Sequence, residues 1–139
     1  MTPRTVLLTL GRLPKALTIA RALAEAGRRV IIAEPFAWHL SRASRFTAKS
    51  YQVCAPNSDG PRYADDLLAI IEGERVGLIV PISEEILHAS TIQPRLPTNC
   101  RFFGVEAAHL IRLHNKRAFA ERAAELGLSA PETANAAAP

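Results

Sequence analysis

The sequence has few cysteines and no cluster of metal-binding side chains. Its 139 residues include two cysteines, Cys54 and Cys100, and neither has a second cysteine or a histidine at ligand spacing. A structural zinc site needs clustered ligands, so a zinc module is excluded and no residue is assigned to a metal. Both cysteines adjoin strand-like runs, and we expect them to be reduced thiols that are buried or half-buried.

Long apolar runs are also missing. A membrane-spanning helix needs roughly 20 apolar residues, and a charged residue or a proline interrupts the longest runs before that length. Arg12 and Lys15 interrupt the first run, which argues against a secretory leader. With 48% hydrophobic and 22% charged residues, the composition is that of one globular domain. We therefore expect a cytoplasmic protein that does not bind membranes.

Acidic residues are scarce in the first half of the chain. Residues 1–62 carry ten Lys and Arg against three Asp and Glu, a net charge of +7, whereas residues 63–139 carry seven against ten, a net charge of −3. A basic half favours either nucleic acid or a small anionic ligand. No helix-turn-helix, zinc-finger or RNA-recognition signature accompanies these cations, so we do not expect nucleic acid as a partner.

Short apolar runs alternate with amphipathic stretches. Strands are predicted at residues 5–10, 29–33, 51–55, 77–82 and 101–105. Helices are predicted between Pro14 and Gly27 and at residues 38–45, 63–71, 106–113 and 116–126. A strand, a helix and a second strand within about 30 residues form a βαβ unit, which has parallel strands. The predicted fold is therefore α/β, a Rossmann-like, open, mainly parallel sheet with helices on both faces.

Candidate ligand-binding residues follow the first strand, since ligands of such sheets bind beyond the carboxyl ends of the strands. Gly11 allows a tight turn, the helix behind it offers free N–H groups to an anion, and Arg12 and Lys15 add positive charge. The second and third glycines of the dinucleotide-binding fingerprint are absent. An ordinary strand-to-helix turn with solvated cations explains the same residues equally well.

Polar residues also follow the second and fourth strands. Glu34 occupies the position where an acidic residue can bind a ribose hydroxyl in dinucleotide folds. Ser83, Glu84 and Glu85 follow the fourth strand, where paired carboxylates could hold an amine, bind a metal or act as a base. A structural interpretation, compatible with these, is that Ser83 caps a helix that begins at Glu84 and that both acids favour the helix dipole. His39 is either an acid–base group or a packing residue, and no spacing indicates a catalytic nucleophile.

A set of short motifs, taken together and in this order, resembles the N-terminal part of ATP-grasp proteins. The motifs are Thr9–Lys15, Ala33–Pro35, Ser41–Arg45, Val80–Glu85, Leu113–Phe119 and Leu126–Thr133. The resemblance extends over nearly the whole chain and is to carboxylate–amine ligases and carbamoyl-phosphate-synthase-like proteins. It implies a Rossmann-like pre-ATP-grasp domain at residues 1–113, the start of the ATP-grasp domain with its linking helix at 114–133, and a disordered tail or truncation point at 134–139.

The resemblance also implies an activity. ATP-grasp ligases join a carboxylate to an amine or thiol through an acyl-phosphate, using ATP and Mg²⁺. The Lys of their Asp-Lys element contacts ATP, which carries over to Lys116, although Asn115 stands where the Asp is usual. The first loop and the loop after the fourth strand lie toward substrate, which makes Arg12, Ser83 and Glu84 candidates. With Gly11, Lys15 and Glu34 from the residue patterns, these form the predicted substrate-binding set.

The phosphate loop and the Mg²⁺ carboxylates of this family lie beyond the sequence given, and we expect this polypeptide alone to be catalytically inert. Its expected partners are a small carboxylate or amine and a downstream ATP-grasp domain. An exposed face of the last helix would favour a homo-oligomer. Two alternatives are a free-standing Rossmann-like binding or partner module without activity, and a fragment of a dinucleotide-dependent oxidoreductase, which the Gly11 loop disfavours.

Overall fold

The chain forms two compact units in a computed structural model that describes residues 5–132. The first unit extends to Gly104 and the second begins at Val105. The division into residues 1–113 and 114–133 remains a prediction, and the tail predicted at 134–139 lies outside the described residues.

The first unit is built on a five-stranded sheet in which every pair of neighbouring strands is parallel. The strands are β1 (Thr5–Thr9), β2 (Arg29–Glu34), β3 (Lys49–Gln52), β4 (Leu78–Val80) and β5 (Arg101–Phe102). Their order across the sheet is β3-β2-β1-β4-β5, so the chain builds outward from β1 first on one side and then on the other.

Helices connect the strands and form the second unit. The α-helices are α1 (Pro14–Glu25), α2 (Gly60–Gly73), α3 (Glu85–Ala89), α4 (Ala107–His114) and α5 (Lys116–Glu125). Two short 3-10 helices occupy Leu40–Ala43 and Ser90–Arg95. In the first unit, Asp59 begins α2 by accepting a hydrogen bond from the backbone N–H of Arg62 at 2.9 Å.

Both faces of the sheet are covered, which confirms the predicted fold class. On one face Leu7 and Ile31 pack with Leu67 of α2 and Ile92. On the other face a second core covers the sheet with the apolar side of α1, through Val6, Leu8, Ala20, Val30 and Ile32. Adjacent residues of β1 thus point into opposite cores, as in a parallel sheet that is buried on both sides.

Several predicted boundaries were wrong. β3 begins at Lys49 rather than at residue 51, because this half-exposed edge strand pairs polar residues with β2 and lacks an apolar start. β4 ends at Val80, ahead of Pro81, which has no N–H to donate. The helix predicted at residues 38–45 is a single 3-10 turn, and β5 has two residues rather than five.

Cysteine burial agrees with the prediction. Cys54 is half-buried and Cys100 is buried, both as free thiols, and burial raises the pKa of Cys100. No helix among residues 5–132 is long and apolar enough to cross a membrane.

The predicted apolar face of α5 is exposed in part. Phe119 and Leu126 are exposed, whereas Ala123 is buried and Ala120 is intermediate. Formation of a homo-oligomer remains a prediction, which light scattering at high concentration tests.

Candidate functional site

A cleft of about 650 Å³ lies at the carboxyl edge of the sheet in the first unit. Its walls come from the segments after four strands, namely Leu10, Arg12 and Leu13 after β1, Pro35 and Phe36 after β2, Val53, Ala55, Pro56 and Asn57 after β3, and Ser83, Glu84, Glu85 and His88 after β4. The strand order reverses between β1 and β4. Loops diverge at such a reversal and leave a crevice, which is where ligands of doubly wound sheets bind.

Arg12 and Glu34 are locked together at one wall of this cleft. Glu34 is fully buried, and its carboxylate accepts hydrogen bonds from the backbone N–H of Arg12 at 3.1 Å, from the Arg12 guanidinium and from the backbone N–H of Phe36 at 3.3 Å. The guanidinium carbon also lies 5.1 Å from the centre of the Phe36 ring. The carboxylate of Glu34 thus neutralises the Arg12 guanidinium. It also occupies the backbone N–H of Arg12, which an anionic ligand could otherwise have bound.

Gly11 lies in a tight space behind Arg12. A Cβ there would lie 2.5 Å from Cγ2 of Ile32 and 2.6 Å from Nδ1 of His39, so no larger residue fits. The carbonyl of Gly11 accepts a hydrogen bond from the backbone N–H of Ser41 at 2.9 Å. His39 Nε2 lies 2.7 Å from the hydroxyl of Ser50, and its Nδ1 is buried without a partner. His39 therefore packs against Gly11 and supports the loop that follows β1.

The segment after β4 does not form the predicted cap. Helix α3 begins at Glu85 rather than Glu84, and neither Ser83 nor Glu84 makes a side-chain cap hydrogen bond. Instead, Ser83 adopts a positive φ of 57° and its hydroxyl accepts a hydrogen bond from Nζ of Lys15 at 3.0 Å. The turn thus brings Lys15, Ser83 and Glu84 to the rim of the same cleft.

Glu85 lies deeper in the cleft and is held by Tyr63 of α2. The Tyr63 hydroxyl, which is buried, donates to Oε2 of Glu85 at 2.9 Å. Burial raises the pKa of Glu85, the charge of Glu34 acts in the same direction, and hydrogen bonds from Tyr63 and Thr9 act against it. Burial and the nearby Glu85 carboxylate also raise the pKa of Tyr63, so its phenol remains a proton donor.

The structure brings most of the predicted substrate-binding residues to one place. Arg12, Ser83 and Glu84 line the cleft, Lys15 contacts Ser83, and Gly11 and Glu34 support Arg12 from behind. Lys116 lies in the second unit, in a smaller cavity of about 460 Å³ beside Phe119.

Two contributions to the site escaped the sequence-based prediction. Tyr63 lies at an apolar position of a predicted helix, and Thr9 lies in a predicted strand. Thr9 accepts a hydrogen bond from the backbone N–H of Ile82 at 3.0 Å and so joins the ends of β1 and β4. A polar end on an otherwise apolar strand is the signal that could have identified Thr9. For Tyr63 the signal was a hydroxyl on the buried face of a helix, which needs a partner.

No group of three histidine, cysteine, aspartate or glutamate side chains within residues 5–132 is placed to hold a metal ion. Of the carboxylates at the cleft, Glu34 is engaged by the guanidinium of Arg12 and Glu85 by the phenol of Tyr63, whereas Glu84 is exposed.

No family model and no curated protein sequence matches the chain. Solved structures do match it. An L-amino acid ligase from Bacillus licheniformis aligns with a TM-score of 0.74 and 13% identity, over 92% of this chain and 31% of that chain. The biotin carboxylase domain of a thermophilic 2-oxoglutarate carboxylase aligns with a TM-score of 0.68 and 14% identity, over 92% and 29%. Glycinamide-RNase-transformylase T from Mycobacterium tuberculosis aligns with a TM-score of 0.66 and 19% identity, over 89% and 36%.

These matches establish the fold. Because the same α/β arrangement occurs in a ligase, a carboxylase and a transformylase, the likeness to ATP-grasp proteins predicted from the motifs is confirmed at the level of the fold. The chain spans about a third of the length of each of these proteins. The chain has the predicted α/β fold, with a cleft at the reversal of its strand order.

Proposed function

We propose that this chain is the N-terminal substrate-side domain of an ATP-grasp ligase, a protein that joins a carboxylate to an amine or thiol through an acyl-phosphate. The observation that carries the proposal is the cleft itself. It lies at the strand-order reversal of a fold that a ligase and a carboxylase share, and Arg12, Ser83 and Glu84 line it. The substrate class is a small carboxylate or amine, since polar side chains and one aromatic ring surround about 650 Å³.

Within this proposal the residues have distinct roles. Arg12 presents its remaining guanidinium N–H groups to substrate, while Glu34 and Gly11 fix the loop that carries it. Lys15 positions Ser83 at the rim, and Glu84 offers an exposed carboxylate. These are binding and positioning roles. We assign no catalytic residue.

ATP and Mg²⁺ belong to a downstream ATP-grasp domain in this proposal. Within residues 5–132 no group of three metal-ligating side chains is placed to hold a metal ion. A biotin carboxylase domain from Hydrogenobacter thermophilus with the same fold was solved with MgADP and bicarbonate, at a TM-score of 0.64. Lys116 is the one residue of this chain that we assign to ATP. It is exposed at the start of α5, where a long cationic side chain can reach a phosphate.

The dinucleotide alternative is disfavoured by a specific contact. In a dinucleotide-binding fold the acidic residue after the second strand binds a ribose hydroxyl. Here that residue is Glu34, which is buried and accepts three hydrogen bonds from within the chain. A ribose could reach it only by displacing Arg12.

Calorimetry with the 139-residue chain tests the proposal. Titration with L-alanine, which carries both a carboxylate and an amine, should show weak saturable binding that Arg12→Ala reduces and Arg117→Ala, on the exposed side of α5, does not. NAD⁺ should not bind. With ATP, Mg²⁺ and L-alanine present, the chain alone should release no ADP above background. Appreciable NAD⁺ affinity would favour the oxidoreductase alternative, and ADP release would refute the assignment of chemistry to another domain. If the chain binds L-alanine and the native protein carries no ATP-grasp domain, the free-standing binding module is favoured.

A further inference from the structure

Three arginine side chains lie against two aromatic rings within and beside residues 38–46. The guanidinium carbon of Arg42 lies 4.7 Å from the centre of the Trp38 ring. Those of Arg21 and Arg45 lie 5.3 Å and 4.9 Å from the centre of the Phe46 ring. Arg21 belongs to α1, which packs against the 3-10 turn within this segment. We call these five side chains the arginine–aromatic patch.

The patch carries a concentrated positive charge. All three arginines are exposed, and within residues 5–132 none of them forms an ion pair. Residues 35–58 contain no Asp or Glu, and the acidic residue of α1, Glu25, lies one turn beyond Arg21. Arg42 donates one hydrogen bond to the backbone carbonyl of Ala37. Because an arginine on an aromatic ring keeps its charge, the remaining N–H groups are available to an anionic partner.

Trp38 gives the patch a flat apolar surface in water. Its side chain is 84% exposed, so the guanidinium of Arg42 covers only a small part of it. Phe36 and Leu40, two residues to either side, are exposed as well. An exposed apolar group that is rimmed by charged residues is typical of an interaction surface.

Single-stranded nucleic acid matches both features of the patch. Its phosphates accept paired hydrogen bonds from arginine, and its unpaired bases stack on an exposed aromatic ring. An acidic peptide offers carboxylates to the arginines but no flat ring to Trp38. An anionic membrane would bury Trp38 together with the guanidinium that lies on its ring, which the charge opposes. In duplex DNA the bases are stacked on each other, so a ring on the protein surface does not reach their faces.

We propose that the arginine–aromatic patch binds single-stranded nucleic acid, with a base stacked on Trp38 and phosphates held by the three arginines. This partner differs from the expectation drawn from the sequence, in which Arg21 and Phe46 stand far apart. None of the five side chains belongs to the predicted substrate-binding set. The proposal therefore goes beyond the proposed function and does not depend on it.

Trp38 reports on the patch directly, because it is the only tryptophan of the chain. Its fluorescence is followed while the 139-residue chain is titrated with oligothymidylate or oligouridylate of about eight nucleotides. We expect saturable quenching, since a stacked base quenches the indole. Three phosphate contacts imply an affinity that falls about 20-fold between about 50 mM and about 200 mM NaCl. The oligonucleotide that binds more tightly identifies DNA or RNA as the ligand.

Variants separate the charge of the patch from its stacking surface. Arg42→Ala and Arg45→Ala should each lower the affinity about fivefold and reduce the slope of log affinity against log salt by about 0.7. Trp38→Leu should lower the affinity about tenfold, as measured by the anisotropy of a labelled oligonucleotide. All three side chains are exposed, so the variants should keep the fold. Arg95→Ala is the control, because it removes the same charge from an exposed ion pair with Asp65 of α2, and it should change the affinity less than about twofold.

The competing ligands are a hairpin duplex of about eight base pairs, an oligoglutamate peptide and vesicles that contain phosphatidylserine. Tighter binding of any of these than of the single strands would overturn the proposal. So would oligonucleotide binding that Arg42→Ala and Trp38→Leu leave unchanged, or the absence of quenching at low salt. Each of these results leaves the proposed function intact, because that function is tested by L-alanine binding and by Arg12→Ala.

Discussion

The carboxylate of Glu34, at the end of β2, binds both the backbone N–H and the guanidinium of Arg12, at the end of β1. Glu34 is fully buried, and the Arg12 side chain is 40% exposed. Glu34 thus holds the loop after β1 in place and neutralises the Arg12 guanidinium at the wall of the cleft. These contacts fix the loop after β1, which has one glycine rather than the three of the dinucleotide-binding fingerprint.

Removing the Glu34 carboxylate should destabilise the first unit. Glu34→Ala leaves the Arg12 backbone N–H and the Phe36 N–H without acceptors, while the guanidinium can turn to water. We expect the free energy of unfolding to fall by about 1–3 kcal/mol in urea denaturation. Arg117→Ala, which removes an exposed ion pair within α5, should cost no more than about 0.5 kcal/mol. Equal effects of the two variants would contradict the role given to Glu34.

Gly11 should not tolerate even a methyl group. In Gly11→Ala the new Cβ would overlap Ile32 and His39, and we expect a loss of about 1–3 kcal/mol in stability. Gly73, the last residue of α2, is the matched control, because a Cβ there meets nothing within 4 Å. Gly73→Ala should be neutral or stabilising by up to about 1 kcal/mol. Thermal denaturation of the two variants compares them directly, and a neutral Gly11→Ala would show that the loop relaxes freely.

Glu74 should make the first unit sensitive to acid. Its carboxylate accepts hydrogen bonds from Tyr51, from Lys49 at 2.9 Å and from Arg29 at 2.7 Å, and these contacts lower its pKa from 4.5 to about 2, with Tyr51 contributing most. A lowered pKa in the folded state stabilises the protein above the unfolded value, and this stabilisation is lost as the pH falls from about 4.5 through about 2.

A variant at Glu74 checks the sign of this effect. Glu74→Gln should lower the melting temperature at pH 7, and the difference from the wild type should shrink steadily below pH 4.5. In Tyr51→Phe the carboxyl should titrate at higher pH, as followed by its ¹³C chemical shift. A melting-temperature difference that stays constant down to pH 2.5 is the result that this explanation does not allow.

Asn115 stands where ATP-grasp proteins usually have Asp, and it should stabilise the start of α5 about as well as Asp would. Its side chain begins α5 by accepting hydrogen bonds from the backbone N–H groups of Arg117 at 3.1 Å and Ala118 at 3.0 Å. We expect Asn115→Ala to destabilise α5 by about 1 kcal/mol and Asn115→Asp to be neutral. Hydrogen exchange at the two amides reports this locally, and unchanged exchange in Asn115→Ala would show that the cap is not needed.

The sequence pattern was sufficient to predict the fold, because its main elements carry local signals. Apolar runs such as residues 5–10 and 29–33 marked the central strands, and glycines marked the ends of helices. The edge strand at Lys49 was misplaced because its stability comes from pairing with β2, which a local pattern does not encode.

The site was predictable in outline only. The carboxyl-end rule led to Arg12, Ser83 and Glu84, and the structure brings these three residues to one cleft. The rule could not show that Glu34 would bind Arg12, or that Tyr63 would donate a hydrogen bond to Glu85. Both contacts join residues more than 20 positions apart in the sequence. Ser83 looked like a helix cap because serine favours that role, whereas a positive φ turned it toward Lys15 instead.

The most direct test of the account is an NMR titration of the ¹⁵N-labelled chain with L-alanine. If the cleft at the carboxyl ends of β1 and β4 is the substrate site, saturable shifts will concentrate at the amides of Arg12, Phe36 and residues 83–85. Arg12→Ala will weaken them, whereas Lys116→Ala will leave them unchanged. Saturable shifts confined to the opposite end of the sheet, around Glu74, or no shifts at high ligand concentration, would contradict the account.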